Sequence, residues 1–207
     1  MFVSSSHAAT PAAQAPGARS EFKTLITWRG VNAERLEQVR LHVSGGRIKA
    51  YGRIIAAETE SCEAFSASYE LVTNDVGVTK RLSVHLLRAS GESQFGVSRD
   101  EENKWLVDTG DDRVRSDFNG AQDVDLALSP LFNALPIRRH HLTADGAGPV
   151  EVPVVYVYLP DTRVEAATLR YVPQPEGIEV ISPVAHAVLA LDDAGFVIDY
   201  PTLASRV

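Results

Sequence analysis

The sequence predicts a mostly β fold with one short helix. Three observations predict it. Apolar and polar residues alternate with period two along most of the chain. Gly-, Asn- and Asp-rich turns separate these runs at short intervals. One stretch, Asp123 to Leu142, breaks the pattern with two prolines, two arginines and two histidines.

Residues 1 to 20 are rich in Ala, Ser and Pro and are expected to form a disordered tail. They lack a basic leader and a continuous apolar segment, so they read poorly as a signal peptide. A single domain is expected over residues 21–207. Strand patterns then follow at 23–29, 35–43 and 47–56. In "AFSASYELV", Phe65, Ala67, Tyr69 and Leu71 share one face. In "KRLSVHLLR", Leu82, Val84 and Leu86 do the same. Shorter runs occur at 93–98 and 104–108. Ser44-Gly45-Gly46, Asn74 to Gly77 and Ser90-Gly91 connect adjacent runs, because Gly and Asn accept the positive φ of tight hairpins. The first hundred residues therefore read as an antiparallel meander. Beyond residue 149, "VEVPVVYVYLP" is apolar on both faces, with Tyr156 and Tyr158 on one and Val155 and Val157 on the other. "RVEAATLRYV" and "VAHAVLALD" follow, then a turn at Asp193-Ala194-Gly195 and "FVIDYP". Such a chain hides its strand edges as a sandwich, a barrel, or a large sheet curled over a helix.

Within Asp123 to Leu142, "DVDLAL" reads as extended, with Asp123 and Asp125 on one face. Ser129 is placed as an N-cap and Pro130 at the first helical position. Pro136 is expected to end the helix, because it disfavours helical Leu135. Leu131 and Leu135, four apart, share its buried face. "IRRHHL" is expected as a strand, which sends Arg138 and Arg139 to opposite faces. One Asp–Arg ion pair is expected to pin the helix to the sheet.

Composition narrows the function. A net charge of −7 excludes a general nucleic-acid binder. The single cysteine excludes an intrachain disulfide and a Cys-based zinc cage. A chain of 207 residues buries roughly 70% of its unfolded surface without either. No apolar run reaches the ~18 residues of a transmembrane helix. A cytoplasmic protein without cofactor or metal is expected. Adjacent His140 and His141, if on a strand, cannot share one ion. Neither a nucleophile elbow nor a P-loop nor a dinucleotide fingerprint is present. Asp123 and Asp125 sit about 7 Å apart at strand spacing, a distance that also suits a hydrolase pair.

"DVDLALSPLFNALPIRR" resembles the signature of a bacterial family known as putative glycolipid-binding proteins. Trp28 and Glu34, Trp105, "VYVYLP", the Leu169–Tyr171 strand and "LDDAGFVIDYP" appear in that family's order. Phe132 stands where the family usually has threonine, and Ala121 where it has cysteine. The resemblance implies one open, strongly curved antiparallel sheet. On that basis the expected function is non-enzymatic binding of an amphipathic ligand, such as a glycolipid, in the sheet's groove. Asn133, Arg138 and Arg139 would contact a sugar or phosphate, and Asp125 would orient an arginine. Trp28 and Trp105 would stack on a sugar ring, and Tyr156 and Tyr158 would line the groove. The alternatives are a hydrolase using Asp123 and Asp125, or an interaction module that recruits a partner strand at a sheet edge.

Overall fold

The computed structural model describes residues 21–110 and 112–207, so the expected tail at 1–20 lies outside the described residues. Eight strands form the first half: β1 (Glu21–Gly30), β2 (Arg35–Ser44), β3 (Arg47–Ala56), β4 (Phe65–Thr73), β5 (Thr79–Arg88), β6 (Gly91–Arg99), β7 (Trp105–Asp108) and β8 (Arg113–Ser116). The middle holds β9 (Asp123–Leu126), a 3-10 turn (Pro130–Asn133) and α1 (Ala134–Arg139). Then come β10 (Val150–Val157), β11 (Val164–Gln174), β12 (Gly177–Ile181), β13 (His186–Leu191), β14 (Val197–Tyr200) and β15 (Ala204–Arg206).

All fifteen strands join one open sheet, in the order β8 to β1, then β15 down to β9. Two meanders therefore meet where the first strand pairs with the last, with Trp28 opposite Arg206. Every neighbouring pair is antiparallel except β9 and β10, which run parallel. A parallel pair needs a long crossover. The 3-10 turn, α1 and the loop after it supply that crossover, and they fold back against the sheet as a plug.

The meander follows from its alternation. β4 buries Phe65, Ala67, Tyr69, Leu71 and Thr73 and leaves the intervening residues half-exposed. The Gly45–Gly46, Asn74–Gly77 and Ser90–Gly91 turns all sit where the hairpins reverse. Gly52 is required for packing: a Cβ there would lie 2.1 Å from the Tyr69 ring. Two apolar cores result. One gathers the inward faces of β1–β7 around Leu131, Phe132, Ala134 and Leu135 of the plug. The other lies among β10–β14 and Ile137. β10 feeds both, with Val155 and Val157 in the first and Val152, Val154 and Tyr156 in the second.

Several local expectations are corrected. Pro136 does not end the helix; it occupies the third position of α1, where its missing N–H has no helical partner to lose. Residues 137–139 are therefore helical rather than extended, and Arg138 and Arg139 project from the last turn of α1. His140 caps that helix and His141 has φ 52°, so the opposite-face argument against a shared ion does not apply to them. Ser129 occupies the N-cap position but makes no capping bond.

Candidate functional site

The residues singled out from the sequence fall into two cavities and the core. β9 pairs with β10 so that Asp123 lies opposite Val154 and Asp125 opposite Tyr156. Both aspartates thus share a face with Tyr156. They have different company. Asp123 is buried and forms an ion pair with Arg139 Nη2. Burial raises its pKa, and the Arg139 charge and hydrogen bond oppose that rise. Asp125 lines a cavity of about 320 Å³ with Ser129, Asn133, Tyr156, Tyr158 and Tyr200. Burial, reinforced by the Asp123 charge, pushes the Asp125 carboxyl up to about 7. Burial likewise raises the Tyr200 hydroxyl to about 12 and Tyr156 higher still. The Tyr156 and Tyr158 rings pack at 4.7 Å between centroids. Asn133 accepts a 3.1 Å hydrogen bond from the Tyr171 hydroxyl. One carboxylate, not two, faces this cavity.

A larger cleft of about 980 Å³ opens along α1. Phe22, Ile48, Val76, Val78, Leu135 and Ile137 supply its apolar lining, and Arg138, Arg139 and His141 also line it. The two guanidiniums are held in place. Arg138 donates to the carbonyls of Ala194 and Gly45 and lies 5.2 Å from the Phe196 ring centre. Arg139 donates to Gln122 at 2.7 Å and to Asp123. Partial burial holds Arg138 below the usual arginine range.

The profile of the family described as putative glycolipid-binding matches residues 25–206. The chain belongs to that family. A DUF1089 family protein from Pseudomonas aeruginosa, solved as a crystal structure, shares the fold at a TM-score of 0.65 and 22% identity. The similarity covers 98% of this chain and all of that one. No curated protein matches the sequence.

In this family member the two tryptophans are core residues. Trp28 and Trp105 are fully buried, and each indole N–H donates to a backbone carbonyl, of Val197 and of Ala121. Neither has a ring face free for a sugar. Contrary to expectation, Asp125 orients no arginine, because Asp123 takes that place on Arg139. Among the described residues no cluster of three His, Cys, Asp or Glu is placed to hold a metal ion.

Sequence reasoning missed a third polar group, Glu37. It is buried in β2 and accepts hydrogen bonds of 2.5 Å from the Tyr69 hydroxyl and from Ser129 Oγ. Burial pushes its carboxyl up to about 7, against those hydrogen bonds and the Arg35 charge. The signal was available. Val39, Leu41 and Val43 set the inward parity of β2, and that parity carries Arg35 and Glu37 inward while Leu36 faces out. Ser129 bonds the plug to the sheet by donating its hydroxyl to Glu37.

Proposed function

We propose that this protein binds the apolar part of an amphipathic ligand in the cleft along α1, without transforming it chemically. A glycolipid is the ligand class in keeping with the family's description. The observation that carries the reading is the cleft itself. Its volume of about 980 Å³ is at the upper end of the range for small-molecule sites. Its apolar lining comes from the sheet and from Leu135 and Ile137 of α1, and two fixed guanidiniums and the His141 imidazole stand beside it. Such a surface takes an acyl chain on one part and a hydroxylated or anionic head on the other. Because both arginines are already held by protein partners, head-group contacts cost little side-chain ordering.

Val76 tests the reading, since it lines the cleft yet is 68% exposed and so tolerates substitution. Dodecyl maltoside below its micellar concentration should raise the melting temperature of the unaltered chain. Val76→Glu places a charge in the apolar wall and should abolish that shift while leaving the ligand-free melting temperature unchanged. Native mass spectrometry should show the detergent recovered at unchanged mass. A wild-type chain indifferent to the detergent, or cleavage of its glycosidic bond, would overturn the proposal.

A further inference from the structure

The smaller cavity between β9, β10 and β14 holds chemistry that binding in the cleft does not use. Asp125 is 8% exposed, and among the described residues no side chain donates a hydrogen bond to it. Glu37 makes the contrast plain: it is only 2% exposed, but two hydroxyls donate to one of its oxygens. A buried carboxyl without a donor is costly to keep ionised. No positive charge lining the cavity offsets that cost, because no Lys, Arg or His is among its lining residues. The nearest guanidiniums are committed elsewhere. Arg139 holds Asp123, and Arg163 lies 3.9 Å from the centre of the Tyr158 ring while paired with Glu165.

Three phenol rings, Tyr156, Tyr158 and Tyr200, line the cavity with this acid. Aromatic faces attract cations, most strongly when both are desolvated. Tyr158 already takes one cation in this way, on the Arg163 side. A neutral hydroxylated ligand could give Asp125 a hydrogen bond but would leave the negative potential uncompensated. A phosphate or carboxylate would be repelled by it.

We propose that this cavity binds a small organic ammonium ion, with Asp125 as its counter-ion and the rings of Tyr156, Tyr158 and Tyr200 as its walls. At about 320 Å³ the cavity suits a free amine of a few carbons, or the ammonium end of a lipid head group. The site is separate from the cleft and does not depend on what the cleft holds.

The proposal is tested by titrating the full chain calorimetrically with choline, with ethanolamine, and with 3,3-dimethylbutan-1-ol, the uncharged analogue of choline. At least one ammonium ion should bind, and the analogue should bind at least tenfold more weakly than choline if choline is the ion taken. Affinity should rise about tenfold from pH 6 to pH 8, as a carboxyl titrating near 7 becomes ionised. The charged and titratable groups around it are Asp123 with its partner Arg139, Tyr156 of β10 and Tyr158 just after it, Tyr171 of β11, and Tyr200 of β14. Asp125→Asn should lose at least tenfold in affinity for the ion while keeping the detergent shift of the cleft. Val76→Glu should do the reverse, so failure of one site is distinguishable from failure of the other. Phosphatidylcholine and phosphatidylethanolamine vesicles form a second arm. Binding to vesicles as well as to the free ion assigns a head group, and binding to the free ion alone assigns a free amine. Absence of binding by either ion, equal binding of ion and analogue, or an unchanged affinity in Asp125→Asn would overturn the proposal. The comparison of ion and analogue uses the unaltered chain, so it stands even if the variant does not fold.

Discussion

Glu37 and Asp125 are buried carboxyls that burial pushes to the same value, about 7, in different company. Both lie above the usual carboxylate range, so the native state holds these protons more tightly than the unfolded chain does. The resulting stabilisation is fully present below pH ~4 and is lost as pH rises toward 7. At pH 8 the fold must hold both groups as anions, and the Tyr69 and Ser129 hydroxyls make that tolerable for Glu37. Tyr69→Phe removes one donor and keeps the ring that packs 5.5 Å from Phe132. It should destabilise the protein by about 1–3 kcal/mol at pH 8. The cost should be smaller at pH 5, where Glu37 is protonated. Urea unfolding at the two pH values measures the difference, and an equal loss at both would show that Glu37 is not the group concerned.

At the scale of elements, the contact between β9 and α1 places both cavities. Arg139 joins the last turn of α1 to Asp123 and Gln122 and so sets where the helix lies against the strand. The Asp123 side chain is 1% exposed. Arg139→Ala would strand a buried carboxyl and should cost about 3–5 kcal/mol. Arg138→Ala should cost less, because its partners are backbone carbonyls and the face of the Phe196 ring. Chemical denaturation of the two variants checks the order. The ion pair itself was legible, since two aspartates and two arginines so close in sequence invite one. Which arginine takes which aspartate was not. Reading 137–142 as a strand put the arginines on opposite faces, whereas the helix carries both round to the cleft. The error came from treating Pro136 as a stop, when the preceding 3-10 turn had already placed it among the first helical residues.

The whole molecule has two sheet edges of different character. β8 is exposed at three of its four residues, whereas β9 is buried throughout. β9 is sheltered because the sheet curls until its far end meets β5, where the Thr79 N–H donates to the Gln122 carbonyl at 3.0 Å. Amide hydrogen exchange should therefore be slow at Asp125 and Ala127, whose N–H groups point to β10, and fast at Val114. Rapid exchange along β9 would mean that the sheltered edge opens and that the plug does not hold it.

The sequence by itself determined the first seven strands of the meander, the positions of their hairpins, the inward parity of the clearly alternating strands such as β4 and β5, and the single interruption at residues 123–142. These follow from period-two alternation and turn chemistry, which act over a few residues. The tertiary structure alone decided that β1 lies beside β15 and that β9 runs parallel to β10. It also decided that the expected site divides into a cleft, a tyrosine cavity and two core tryptophans. Such choices rest on contacts between distant segments, as where Trp28 reaches Val197 across 169 positions. Local periodicity says which face of a strand is buried, but not which partner buries it.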